Sequence, residues 1–239
     1  TIALRAITNE KHLLIEKPIA HNIEAAKKIV DASVSTDLRI MTGFIERFNP
    51  GVQRLRKMIQ QGTLGDIVLT FARRVGRWPE RIGDVGVVKD SAIHDLDLMR
   101  YLFKEEPRSV YARAGSLGHR FEDYVEAMLK FSGIRTGFAE ANWLTPHKVR
   151  TLTVTGKEAI AVLDFITQEI VVENVEETIT RKHEWVEPLK LELAHLATRI
   201  HEGKEPDVTA LDGLRALQIC EAVLTSAQTG AAVDLALDS

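Results

Sequence analysis

Three residues of this chain have the types and placement that proton chemistry requires. Asp90 and His94 are four apart in the segment DSAIHDLDLMRYLF. On a helix advancing about 100° per residue their side chains can meet. A carboxylate beside an imidazole fixes its tautomer and raises its basicity, which is the equipment of a general base. Lys17 lies in HLLIEKPIA, directly after a short apolar run, and Pro18 prevents further strand pairing there. A lysine at the carboxyl end of a strand can hold a substrate hydroxyl, and its pKa shifts when it is desolvated. Each pattern also has a plain structural reading. The histidine can be a hydrogen-bonded surface residue, and the lysine a strand end reaching water.

The surroundings of these residues sharpen the choice. On the same helix Asp90, His94, Asp97 and Tyr101 fall in a stripe roughly 60° wide. Ala92, Ile93, Leu96, Met99 and Phe103 form a broad apolar arc beside it, with Leu98 and Leu102 on the other flank. A narrow polar stripe on an apolar helix is expected where a buried helix borders a cleft. A second strand, LRIMTGFI, runs into Glu46-Arg47 and then Phe48-Asn49-Pro50. Two neighbouring strands ending in charge before a proline suggest one shared mouth, with Arg47 and Asn49 as substrate-binding candidates. Arg73, Arg74 and Arg77 form a cluster that can meet an anion such as phosphate or stay solvated. Trp78 can stack on a ring or simply pack. Arg77 and Trp78 complete the candidate substrate set. Cys220, the single cysteine, sits among Leu217, Ile219, Ala222 and Val223 and reads as core. No metal site is expected: H-E-x-x-H is absent, and His195 and His201 face different ways on a helix. The sequence also lacks G-x-G-x-x-G, G-x-x-x-x-G-K-[ST] and G-x-S-x-G.

The elements that position these residues divide in two. Residues 1–48 alternate helix, strand, helix and strand, the sign of parallel pairing through crossover helices. Two strands are too few to stand alone, so further strands are expected to precede Thr1. From residue 49 a helix, a long strand and the DSAIHDLDLMRYLF helix lead into a crowd of sequential strands and two closing helices. That pattern predicts a large, mostly antiparallel sheet over residues 49–239. Thr209 and Asp212 make a variant capping box for the last helix, which stops at Gly230. The expected class is therefore α/β: a remnant of a Rossmann-type parallel sheet, then an α/β domain with the large sheet. The chain's 239 residues suffice for a substantial core, and a net charge of −3 gives no reason to expect nucleic acid or a membrane surface. No apolar run is long enough for a membrane span, so a cytoplasmic protein is expected. A homo-oligomer is expected through an open sheet face, with Val125, Ala127, Leu129, Phe131, Phe138, Ala139 and Trp143 as the apolar residues to cover.

Taken in order, Glu16-Lys17-Pro18 after a strand, GFIERFNP, Asp90-x-x-x-His94 with DLDLMRYL, and VTALDGLRALQICEAVLTSAQTG resemble the Gfo/Idh/MocA family of nicotinamide-dependent oxidoreductases. The likeness runs over essentially the whole chain. The GFIERFNP segment and the Asp-Val-Gly-Val loop before Asp90 look most like its sugar-nucleotide branch, which includes UDP-N-acetylglucosamine 3-dehydrogenase. The resemblance implies NAD or NADP as cofactor, with Glu16, Lys17 and Pro18 beside the nicotinamide. It implies that Lys17, Asp90 and His94 are catalytic and that the substrate is a small sugar or nucleotide-sugar. An inositol or simple-sugar dehydrogenase is the alternative, and a non-catalytic sugar-binding or assembly module is the alternative of another class. Members of the family begin with a glycine-rich strand-turn-helix that this sequence lacks. By analogy about 80 residues of the nucleotide domain are expected to be missing from its start.

Overall fold

The computed structural model describes residues 2–79, 83–182 and 184–236. The first part holds α1 (Ile2–Thr8), β1 (Leu13–Glu16), α2 (Ile23–Val34) and β2 (Ile40–Gly43). Asn22 caps α2 by accepting from the Ala25 amide at 2.8 Å. β1 and β2 pair in parallel, with Glu16 opposite Gly43, so both strands end at the same edge. Ile19, Ala26, Ile29 and Ile40 pack with Ala210, Leu214 and Leu217 into a small core of their own.

A 3-10 turn at Ile45–Phe48 then leads to α3 (Pro50–Gln60), β3 (Ile67–Arg77), a π-helical turn at Val88–Ala92 and α4 (Ile93–Phe103). The strands β4 (Ser109–Gly115), β5 (Tyr124–Lys130), β6 (Thr136–Asn142), β7 (Leu144–Gly156), β8 (Ile160–Asp164), β9 (Ile170–Glu173) and β10 (Thr178–Arg181) follow. The helices α5 (Pro188–Glu202) and α6 (Ala210–Thr229) and a short β11 (Val233–Asp234) complete the described elements. The large sheet runs β10-β9-β8-β7-β3-β6-β5-β4-β11. All its described pairings are antiparallel except β3 with β6. This is the α/β class with a small parallel and a large, mostly antiparallel sheet.

The capping box forms as expected. Thr209 and Asp212 satisfy each other's amides, and Gly230 ends α6 at φ 71°. Three elements differ from expectation. β2 stops at Gly43 because Phe44 turns the chain into the 3-10 segment, where Glu46, Arg47 and Phe48 are buried. The strand expected over ETITRKHEWV shortens to Thr178–Arg181, and His183 lies outside the described residues. The Asp90–His94 helix opens as a π turn, which widens the first turn and changes its phase against a regular helix.

Helices cover one face of the large sheet. Period-two alternation puts Val125, Ala127, Leu129, Ala139 and Ala141 on that face, where they are buried with Phe131 and Trp143. The open face therefore differs from the set expected from sequence. Of those seven residues only Phe138 points to it. Tyr111, Met128, Phe138 and Phe71 stand side by side across four strands, and Thr153 and Val162 continue the row. Tyr111, Met128, Phe71 and Val162 are exposed, as are Leu69 and Ile160.

Candidate active site

The carboxyl edge of the small sheet meets the start of α4. Lys17 follows β1, and its peptide bond to Pro18 is cis. The Lys17 ammonium donates to the Asp90 carboxylate at 3.0 Å and also to the Asp90 backbone carbonyl. Both side chains are largely buried, at 14% and 15% exposed. Ser91 donates to the other Asp90 carboxylate oxygen at 3.0 Å. The contact between Lys17 and Asp90 thus joins residues 73 apart in sequence.

His94 lies on the first turn of α4, edge-on to Phe44 with ring centroids 6.2 Å apart. Its side chain does not take up the pairing with Asp90 that the spacing suggested. Asp90 is held by Lys17 and Ser91, and the buried His94 Nδ1 has no hydrogen-bond partner among the described residues. The π turn between the two residues accounts for the difference in phase. Burial, and then the positive charges of Lys17, Arg74 and Arg150, hold the imidazole well below its usual pKa. It is neutral at neutral pH and so able to accept a proton.

Two buried ion-pair groups support this helix. Arg74 on β3 grips Asp95 with two bonds of 2.8 and 2.9 Å and Glu46 with one of 2.9 Å. Arg47 grips Asp97 at 2.6 and 2.7 Å and Asp212 at 2.8 Å. Arg100 adds a further bond to Asp97. Such fork-shaped pairs fix geometry as well as charge. Arg47 is therefore a buried brace between α4 and α6 and does not face the expected mouth. Asn49 is buried too: its carbonyl oxygen accepts from the Gly51 amide and caps α3, and its amide donates to the Phe165 carbonyl and to Glu46. Past His94 the stripe leaves this site: Asp97 is held by Arg47 and Arg100, and Tyr101, bonded to Gln53 and Arg56, lines a different cavity of about 620 Å³ that Arg47 also borders.

A cavity of about 430 Å³ opens beside Asp90 and Ser91. Its wall includes Arg74, Arg77, Asn142, Trp143, Lys148 and Arg150. Asp90 lines it, and Lys17 reaches it through Asp90. Arg77 is on the wall, after a register shift at the end of β3. Trp78 is not among the residues of its wall; its ring is tilted 44° against His119 with centroids 4.1 Å apart, and His119 in turn meets Trp143 edge-on. Arg73 points to the open sheet face and pairs with Glu140 at 2.8 Å. Sequence reasoning missed Lys148 and Arg150, although their spacing of two on a strand marks a shared face. It also missed Glu192 on α5. That carboxyl is fully buried, both oxygens lack partners among the described residues, and burial followed by the nearby Glu16 raises its pKa to about 7.

The chain matches the GFO/IDH/MocA C-terminal domain over residues 52–162 and the oxidoreductase-family, NAD-binding Rossmann fold over residues 1–44. Together these matches cover more than half of it. The chain belongs to the Gfo/Idh/MocA family of oxidoreductases. It is 27% identical over 252 residues to scyllo-inositol 2-dehydrogenase (NAD(+)) of Bacillus subtilis, covering 97% of this chain and 73% of that protein. It is 31% identical over 147 residues to inositol 2-dehydrogenase of Rubrobacter xylanophilus, covering 59% of this chain and 42% of that protein. The Gfo/Idh/MocA architecture is also seen in levoglucosan dehydrogenase in complex with NADH and levoglucosan. There the TM-score is 0.90 at 23% identity, over 98% of this chain and 76% of that one. Among the described residues no helix is long and apolar enough to cross a membrane, and no cluster of ligating side chains could hold a metal ion.

Proposed function

We propose that the protein oxidises a ring secondary alcohol of a sugar or cyclic polyol with NAD or NADP, and that Lys17, Asp90 and His94 are its catalytic groups. The observation that carries this reading is the joining of Lys17 to Asp90 at 3.0 Å, with Asp90 on the wall of a cavity and a neutral imidazole near enough for the Lys17 charge to lower its pKa. The residues present fit the nicotinamide end of the cofactor. They offer the carboxyl edge of a parallel pair, where α/β folds bind ligands, with Glu16, Lys17 and Pro18 upon it and the orphaned His94 Nδ1 nearby. When bound, the nicotinamide supplies the acceptor for the hydride leaving the carbinol carbon. His94 takes the hydroxyl proton at Nε2, the ring nitrogen that is not sealed. Lys17 polarises the oxygen, and Asp90 sets the position of the Lys17 ammonium rather than orienting the imidazole. Loss of one proton and one hydride converts the alcohol to a ketone.

The inositol dehydrogenases among the relatives favour a cyclic polyol or simple sugar over a nucleotide-sugar of the UDP-N-acetylglucosamine type. Division of the chain near residue 48, a cytoplasmic location and assembly through the open sheet face are parts of the same reading. The exposed row through Phe71, Met128 and Tyr111 supports the assembly. The test is nicotinamide reduction by the complete protein across a panel of cyclic polyols and hexoses. Absence of turnover with every member, in protein shown to bind NAD, refutes the proposal.

A further inference from the structure

Among the described residues, the wall of the cavity beside Asp90 carries more cations than carboxylates. Lys148 and Arg150 are two apart on β7 and so share one face of it. Arg150 stands directly opposite Arg74 across the β3–β7 pair. Like charges in that position repel unless something between them compensates. Arg74 is compensated by Asp95 and Glu46. Arg77, Lys148 and Arg150 have no carboxylate partner among the described residues, and the one carboxylate on the cavity wall, Asp90, is already paired with Lys17. The repulsion outweighs the nearby carboxylates: the charge of Arg150, and then burial, lower the Lys148 pKa against the pull of Glu46, and burial and Arg74 lower that of Arg150 against Glu46, Asp95 and Asp90. Lys148 and Arg150 also line a neighbouring cavity of about 270 Å³, whose wall includes Phe165, Ile166 and Trp185 and the carboxylates Glu46 and Glu187, neither of which is paired with them. The two cations therefore border both hollows.

The geometry points to an anionic substrate: Lys148, Arg150 and Arg77 bind a carboxylate or phosphate carried by the sugar whose hydroxyl is presented to Asp90, Lys17 and His94. This deepens the dehydrogenase reading above and rests on it for the identity of the reacting hydroxyl. The anion itself is a separate requirement of the charge balance. Its two sources are a ring carboxylate and a phosphate ester.

The test has two parts. In the first, inorganic phosphate is titrated calorimetrically into the complete protein and into the Lys148→Met/Arg150→Met double variant, at low and high sodium chloride. Binding to the parent that weakens with salt and is lost in the double variant is expected. In the second, a neutral hexose, its uronic acid, its 1-phosphate and its nucleoside-diphosphate ester are compared as substrates. At least one anionic member is expected to surpass the hexose in kcat/KM. The double variant is expected to raise the KM for that member roughly 10- to 100-fold, the effect of losing charged hydrogen bonds, with kcat less affected. Preference for the uronic acid identifies a carboxylate, and preference for the esters a phosphate. If the hexose is the best substrate, or if the double variant binds phosphate as the parent does, the inference is overturned. If no compound is oxidised but phosphate binding is lost in the double variant, the dehydrogenase reading fails and the anion site stands.

Discussion

Glu192 provides the sharpest test of how charge is distributed in this structure. It is fully buried on α5, both carboxylate oxygens lack hydrogen-bond partners among the described residues, and Glu16 lies close enough to repel it. Its pKa rises from 4.5 to about 7. The folded state therefore binds the proton more tightly than the unfolded state. The stability this lends is fully present below pH 4.5 and is lost as pH rises to about 7. The full gap corresponds to about 3 kcal/mol, or about 2 kcal/mol once water reaching the ionised carboxylate is allowed for. Glu192→Gln keeps the shape and removes the ionisation. Its melting temperature should match the parent's at pH 4.5 and exceed it at pH 8 by roughly 4–8 °C, given about 2–4 °C per kcal/mol for a chain of this size. Other groups titrate over the same range, and His94 acts in the opposite sense by destabilising as pH falls. Their contributions cancel in the difference between variant and parent. Equal melting at pH 8, or the same difference at both pH values, would falsify the assignment of a protonated, buried Glu192.

Other outcomes follow from the site and its supports. His94→Ala should lower kcat by roughly 10²- to 10⁴-fold and leave the melting temperature nearly unchanged, as a general base would; early melting with parental turnover in the folded fraction would mark His94 as structural. Because burial and the neighbouring cations depress its pKa, the acid limb of kcat/KM in the complete enzyme should fall below pH 6.5, and a limb above that value contradicts a neutral His94 base. Asp95→Asn leaves Arg74 with a single carboxylate and should cost roughly 3–5 kcal/mol in denaturant unfolding, the usual effect of breaking a buried pair; a loss under 1 kcal/mol argues against the brace. Phe71→Glu places a charge in the middle of the open row on the sheet and should yield monomers in light scattering, whereas an unchanged oligomer places the interface elsewhere.

The elements were legible because local signals agreed with one another. Alternation in YVEAMLK and TGFAEAN set two strands and which of their residues are buried, and Thr209 with Asp212 announced the start of α6. Which face of the large sheet stays open was not legible, since alternation gives two faces without saying which one helices cover. The ordered set of family segments grouped Lys17 with Asp90 and His94, but the direct contact between Lys17 and Asp90 was not foreseen. Spacing alone cannot bring together residues on a small sheet and a distant helix. Spacing on a regular helix also mispaired Asp90 with His94, because a π turn has no simple sequence signature. Arg47 and Asn49 looked like mouth residues since charge and amides after a strand usually reach solvent. Their partners, Asp97, Asp212 and the Phe165 carbonyl, lie 50, 165 and 116 residues away.

The same partners explain why the cavity keeps its unpaired cations. The acidic residues of α4 stand at Asp95 and Asp97, both on the protein side of the helix, and each is used up by an arginine from another element. Arg74 reaches Asp95 from β3 and Arg47 reaches Asp97 from the 3-10 turn, so α4 is locked to the sheet on one side and to the small parallel pair on the other. That leaves Asp90, which Lys17 occupies, as the carboxylate facing the cavity from this helix. Adding a carboxylate near Arg150 would relieve the repulsion across the β3–β7 pair and also place a negative charge beside the imidazole of His94. It would then oppose the pull that burial, Lys17, Arg74 and Arg150 exert on the imidazole pKa in the free protein. The arrangement resolves both demands if the compensating anion arrives with the substrate. Charge balance at Arg150 and a neutral His94 in the free protein are then two consequences of one choice of residues.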